Sequence, residues 1–147
     1  CYLNESQGDI NCISIRCPAI LERNYSPHLL GRIRDLMKAG SLIKLSNPSF
    51  MFNNCITLDT LADFIIELLL NPPKGYSVLP VAASDPQPFS SVVDHLKVES
   101  KFSGDIQWIP NNMPSFNLDI DLALEYGFKP KPVEESLRWW FRELSGA

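Results

Sequence analysis

The 147-residue sequence has only two histidines and four cysteines, which limits the metal chemistry it can carry. His28 and His95 are far apart along the chain, and the cysteines lack the paired spacing of a zinc site. We therefore predict no metal site. The cysteines lie mostly in apolar surroundings, so we expect free thiols in a reducing compartment and a cytoplasmic location.

Long apolar runs and an excess of basic residues are also missing. No apolar run reaches the roughly 18 residues that span a bilayer, and the longest, Leu61 to Leu70, contains Asp63 and Glu67. The 13 lysines and arginines are scattered and are outnumbered by 17 acidic residues, for a net charge of -4. The sequence thus predicts neither a membrane nor a nucleic acid as partner.

The sequence does contain alternating strand and helix patterns, which predict an α/β fold. The first strand, Ile10 to Arg16, has apolar side chains pointing to both faces, a pattern typical of a strand inside a parallel sheet. We expect the strand in "GYSVLPVAA" to lie beside it, at one border of a larger sheet. Too few strands are present to complete a doubly wound sheet.

Several finer predictions can be checked against the structure. Residues 1 to 7 read as the end of a helix, and Ser26-Pro27 reads as the start of another that ends at Gly40. "FMFNNCITL" reads as one strand leading to a helix capped by Asp59 or Thr60. We expect that helix to bury one broad face, which comprises Leu61, Phe64, Ile65, Leu68 and Leu69. A final helix, Val133 to Leu144, should turn Leu137, Trp140, Phe141 and Leu144 inward.

Three segments in a fixed order carry a family resemblance. "ISIRCPAIL", "ITLDTLADFIIELL" and "FNLDIDLALEYGFKPKPVEESLRWWFREL" resemble the carboxy-terminal half of NAD(P)-dependent epimerases, dehydratases and reductases of the extended short-chain dehydrogenase/reductase family. Asp121 and Tyr126 depart from the family's last motif. The resemblance implies that residues 1–147 form the carboxy-terminal part of a Rossmann-type NAD(P)-binding fold. It would include the last Rossmann strands and the small substrate-binding subdomain, with the amino-terminal strands absent.

Two motifs of such enzymes are missing from the chain. There is no glycine-rich pyrophosphate loop, and no tyrosine is followed by a lysine four residues later. In the family that tyrosine is the general acid/base, and the lysine lowers its pKa. We therefore assign no catalytic residue. We expect the chain to be inactive without a Rossmann half on the same polypeptide, which would complete the site for NAD or NADP.

The resemblance implies roles for two short stretches. Pro18, Ala19 and Ile20 follow the first strand and would lie beside the cofactor, although Pro18 could simply end the strand. Phe50, Phe52 and Asn53 would line the substrate cleft, although aromatic residues on a strand are often core.

Departures from the nucleotide-sugar enzymes bear on the substrate. Ala19 and Glu22 replace an asparagine and a glycine, and Asn53 stands where an arginine grips the nucleotide diphosphate. An amide lacks the charge and the fork that favour phosphate. These departures argue against a nucleotide-sugar substrate. From the family resemblance we expect a substrate of a sugar type or a smaller carbonyl or hydroxyl compound. The alternative function is a non-catalytic α/β binding or scaffold module, and a homodimer is possible.

Overall fold

The computed structural model describes residues 11–22, 27–111 and 116–145. The strands are β1 (Cys12–Arg16), β2 (Ala19–Leu21), β3 (Ile43–Ser46), β4 (Met51–Phe52), β5 (Cys55–Thr57), β6 (Tyr76–Pro80), β7 (Gln87–Pro88) and β8 (Ile106–Ile109). The helices are α1 (Leu29–Lys38), α2 (Leu58–Leu70), α3 (Phe89–Glu99), α4 (Asp121–Glu125) and α5 (Val133–Ser145). The predicted α/β class is confirmed. The predicted helix over residues 1–7 lies outside the described residues.

The strands pair two by two. β1 pairs with β6, β2 with β5 and β3 with β8, all in parallel, whereas β4 and β7 are antiparallel. The predicted neighbourhood of the first strand and "GYSVLPVAA" is therefore confirmed. Parallel pairs need long crossover connections: the one from β2 to β5 contains α1, and the one from β3 to β8 contains α2 and α3.

The two edges of the β1–β6 pair differ. The Cys12 amide donates to the Gly75 carbonyl, at 2.8 Å, and the Val81 amide donates to the Arg16 carbonyl, at 3.1 Å. Because a parallel ladder uses alternate residues, the N–H and C=O groups of Ile13 and Ile15 point away from β6. No described strand pairs with that side of β1. On the far edge of β6 lies Pro80, which has no N–H and suits the border of a sheet.

The N-cap of α1 lies two residues later than the sequence suggests. The N-cap is His28, whose Nδ1 accepts a 3.2 Å hydrogen bond from the Gly31 amide, so the predicted start at Ser26 is wrong. Ser26 itself lies outside the described residues. The predicted end is confirmed: Gly40 has a φ of +62°, and the amides of Gly40 and Ser41 bond to the carbonyls of Met37 and Leu36.

The start of α2 also differs from the prediction. Its N-cap is Thr57 rather than Asp59 or Thr60. Asp59 instead joins three groups, because it accepts hydrogen bonds from Lys131 Nζ, from the Thr57 hydroxyl and from the Thr60 amide. Partial burial opposes ionisation of Asp59, but these hydrogen bonds outweigh it and lower its pKa. The preceding segment is not one strand, because Asn53 and Asn54 separate β4 from β5.

One side of α2 is exposed where the pattern predicted burial. Leu61, Phe64 and Leu68 are buried, but Ile65 is 40% exposed and Leu69 is 76% exposed. The sheet beneath α2 has only two described strands, so it covers one side of the helix and leaves the other uncovered.

Two hydrophobic clusters form the interior. The larger lies between α1, α3 and α5 and includes Ile33, Leu96, Leu137 and Trp140. The smaller lies beneath α2 and includes Phe64, Leu79 and Phe128. The inward orientation of Leu137, Trp140 and Phe141 is confirmed. The Leu144 side chain lies outside the described part of the chain.

The helices found in residues 11–22, 27–111 and 116–145 include none with the length and apolar character needed to cross a membrane. These residues also contain no group of three or more His, Cys, Asp or Glu side chains that could hold a metal ion.

Candidate functional site

The three residues predicted to approach the cofactor line one cleft of about 400 Å³, which we call the turn cleft. Its lining residues are Pro18, Ala19, Ile20, Glu22, Pro27, His28 and Leu58. The chain leaves β1 at Arg16, turns at Pro18 and enters β2, which pairs with β5. Since β5 leads directly into α2, this pairing also brings the start of α2 to the turn.

The turn cleft presents mainly apolar surface. Pro18 has no N–H to satisfy, and the Ala19 amide donates to the Asn54 carbonyl, at 3.4 Å. Among the described lining residues, Glu22 is the one carboxylate, and no lysine or arginine is present. An apolar wall with few polar groups is typical of sites that bind small molecules.

His28 is a lining residue to which the sequence analysis gave no role. Its Nδ1 accepts from Gly31, so the neutral ring carries its proton on Nε2, and that buried atom has no hydrogen-bond partner among the described residues. The ring packs against Trp140, with 5.5 Å between centroids. Desolvation, assisted by the charge of Arg34, lowers the His28 pKa.

This lowered pKa predicts a pH-dependent stability. Because the His28 pKa is lower in the folded chain than its ordinary value of 6.5 in the unfolded chain, the unfolded chain binds the proton better. The stability that neutral His28 contributes is fully present above pH 6.5 and is lost as the pH falls from 6.5 toward the lower pKa of the folded chain. We expect a lower urea midpoint at pH 5 than at pH 7.5. His28→Asn, which keeps a cap acceptor, should show a smaller drop, and an equal drop in both proteins would contradict the assignment.

A second cleft, of about 430 Å³, also reaches the start of α1, and we call it the ring cleft. Leu29, the residue after His28, lines it together with Phe50, Phe89 and Ile109. The Phe50 and Phe89 rings lie 4.9 Å apart. Phe50 is thus the one predicted substrate residue that reaches a described cleft.

The other two predicted substrate residues are buried. Phe52 packs against the rings of Phe50 and Phe89. Asn53 clasps the backbone of Leu118: its Nδ2 donates to the Leu118 carbonyl at 2.8 Å, and its Oδ1 accepts from the Leu118 amide at 2.9 Å. Phe52 thus packs behind the ring cleft and Asn53 holds the Leu118 backbone, and the contact of either side chain with a substrate stays a prediction.

No family model matches the sequence, and neither does any curated protein. Solved structures do resemble the chain. The UDP-glucose 4-epimerase of Thermotoga maritima has a TM-score of 0.71 at 13% identity, over 92% of this chain and 46% of the epimerase. The Bordetella bronchiseptica enzyme WbmG in complex with NAD and UDP has a TM-score of 0.75 at 14% identity, over 93% of this chain and 45% of the enzyme.

A third example is the dTDP-glucose 4,6-dehydratase of Bacillus anthracis in complex with NAD, with a TM-score of 0.69 at 14% identity, over 90% of this chain and 44% of the dehydratase. The chain spans less than half the length of each of these enzymes. At such low identity the likeness is one of fold. It confirms the resemblance recognised from the motifs and a partial Rossmann-type architecture.

Proposed function

We propose that the chain is the carboxy-terminal, substrate-binding part of an NAD(P)-dependent epimerase, dehydratase or reductase that acts together with a Rossmann half on the same polypeptide. The observation that carries this proposal is the parallel β1–β6 pair, which is open along β1 and leads into the turn cleft. Enzymes with this fold extend to about twice the length of the chain.

The open edge of β1 supports a further parallel strand. Ile13 and Ile15 present N–H and C=O groups there that no described strand uses, and their side chains already pack against the cluster beneath α2. Exposed strand edges of this kind are templates for pairing. We propose that the last strand of the Rossmann half pairs with them.

The exposed side of α2 supports the same arrangement. Leu58, Ala62, Ile65 and Leu69 recur at intervals of four, three and four residues, and we call them the apolar stripe. This spacing is typical of a helix that packs against another helix. The opposite side of α2 carries Glu67, which lies against Gly127 after α4. Since α4 lies over β6, the stripe would point toward the open edge of β1, where a Rossmann helix would cover it.

A matched pair of variants tests this contact. In the 147-residue chain alone, Leu69→Lys should change the free energy of unfolding by less than about 0.5 kcal/mol, because Leu69 is exposed. In the protein translated from the complete reading frame it should cost about 2 kcal/mol, because a buried leucine would be lost. Leu124→Lys on α4, which is also exposed, is the control and should be neutral in both. Equal effects of Leu69→Lys in the two proteins would contradict the contact.

We propose that NAD or NADP places its nicotinamide at the turn cleft. The apolar wall of Pro18, Ala19 and Ile20 fits a flat ring from which water is excluded, and Glu22 is compatible with the positive charge of the oxidised ring. The bound cofactor would accept or donate the hydride. The acid/base side chains would come from the Rossmann half, and this part would position the ring and the small-molecule substrate.

Titration of the protein translated from the complete reading frame with NADH, followed by nicotinamide fluorescence, tests the cofactor proposal. We expect saturable binding. Pro18→Trp fills the cleft and should weaken binding at least tenfold, about 1.4 kcal/mol, whereas Pro72→Trp, at an exposed position after α2, should not. Absence of NADH binding would overturn the proposal and favour the non-catalytic module. We further propose a cytoplasmic location, and the proposal allows a homodimer.

A further inference from the structure

We infer that the ring cleft binds an uncharged carbonyl or hydroxyl compound with a ring or branched hydrocarbon part, and not a nucleoside diphosphate. This inference deepens the proposed function, because it rests on the chain being the substrate-binding part of such an enzyme. It is carried by the lining of the cleft and by the hydrogen bonds around it.

Hydrocarbon dominates the lining. Six of the ten described lining residues are apolar: Leu29, Leu45, Phe50, Phe89, Ile109 and Pro110. The volume of about 430 Å³ is that of a site for a small organic molecule. Two phenylalanine rings 4.9 Å apart form one wall, against which a ligand ring or branched chain can pack.

Charge is scarce in the ring cleft. Lys44 is the one charged residue among the ten described lining residues, and its side chain is largely exposed to solvent. A pyrophosphate in proteins is typically held by several cations or by a bidentate arginine. The position at which the resemblance leads us to expect that arginine is Asn53, which is buried and already bonded twice to Leu118. The Asn53 side chain therefore stabilises the fold and has no polar atom left to bind a phosphate.

Helix starts could replace missing cations, because their free amides attract anions. Two helices begin at the ring cleft, α1 at Leu29 and α3 at Phe89. At α3, the Phe89 amide donates to the Phe50 carbonyl at 2.9 Å, and the Ser90 amide donates to the Pro48 carbonyl at 2.8 Å. At α1, the Gly31 amide is occupied by His28. These bonds remove donors that a phosphate would need.

The polar end of the cleft suits a neutral group. The Asn111 side chain donates to the Ser46 hydroxyl at 3.2 Å, which joins the ends of β3 and β8. A hydroxyl and an amide can exchange hydrogen bonds with a ligand carbonyl or hydroxyl without burying a charge. A ligand with a hydrocarbon body and one such group therefore matches the lining.

The test compares two probes, 4-phenyl-2-butanone and uridine 5′-diphosphate, by ligand-observed NMR titration of the 147-residue chain. We expect the ketone to bind and to bind more tightly than the diphosphate. Phe50→Ala should weaken ketone binding at least tenfold, and Lys38→Gln, at an exposed position outside the cleft, should change it less than twofold. Because Phe50→Ala removes part of the core, Ile109→Ser is a second cleft variant, with exposed Val98→Ser as its control.

Three results would overturn the inference: tighter binding of the diphosphate, binding of neither probe, or ketone binding that neither cleft variant weakens. The NADH titration measures binding at the turn cleft, whereas these variants change the ring cleft, so the two experiments can fail separately. Ketone binding without NADH binding would therefore reject the cofactor proposal while leaving the preference of the ring cleft intact. NADH binding together with tighter binding of the diphosphate would reject the preference of the ring cleft while leaving the cofactor proposal intact.

Discussion

Trp140→Ala is expected to destabilise the chain by about 4 kcal/mol, a large part of the stability of a domain of this size. Trp140 is fully buried at the centre of the larger cluster. Its indole N–H donates to the Glu22 carbonyl at 3.0 Å, and the Arg34 guanidinium lies 4.9 Å from the ring centroid. The substitution leaves a cavity and a carbonyl without its donor, beside the turn cleft.

Urea unfolding measures this effect, with Trp139→Ala as the matched control. Trp139 is only half-buried, and its Lys131 contact is 5.5 Å from the ring, so about 1 kcal/mol should be lost. If the alanine variant does not fold, Trp140→Phe should show a smaller loss that is still larger than that of Trp139→Phe. A cost at position 140 no greater than at position 139 would show that the described packing is wrong.

Asn53→Asp should cost about 3 kcal/mol or more at neutral pH, although it barely changes the volume of the side chain. One oxygen can still accept from the Leu118 amide, but the other replaces the Nδ2 donor and faces the Leu118 carbonyl, 2.8 Å from the original nitrogen. A buried carboxylate without a cation is strongly disfavoured.

The pH dependence gives this variant a distinctive signature. The repulsion disappears when the new carboxyl is protonated, so burial should raise its pKa. Stability should therefore recover, relative to the wild-type chain, as the pH falls. Asn117→Asp, at an exposed neighbour of Leu118, is the control and should have little effect. A cost that is small or independent of pH would contradict a buried Asn53–Leu118 clasp.

Local patterns made much of the fold predictable. The first strand ending at Arg16, the glycine at the end of α1 and the spacing of Leu137, Trp140 and Phe141 each depend on neighbouring residues, and each is confirmed. The order of three motifs led to the shared fold, which no single motif could do.

Interactions between residues far apart in the chain could not be predicted from the sequence. The Asn53–Leu118 clasp joins residues 65 positions apart, and the Asp59–Lys131 pair joins residues 72 positions apart. The exposure of Ile65 and Leu69 likewise depends on what lies beside α2, which its helical period does not encode. The cap at His28 could have been suspected, because Pro27-His28 directly precedes the apolar spacing of α1 and the Nδ1 atom can accept a hydrogen bond.

The most direct test of the central claim is amide hydrogen exchange at Ile13 and Ile15. It would compare the 147-residue chain with the protein translated from its complete reading frame. The Cys12 amide, which bonds to Gly75, is the internal reference and should be protected in both. If β1 is an interior strand of a Rossmann sheet, the Ile13 and Ile15 amides should exchange rapidly in the chain alone. They should become at least about 100-fold slower in the complete protein. Equally rapid exchange in both would contradict the claim that a further strand completes this sheet.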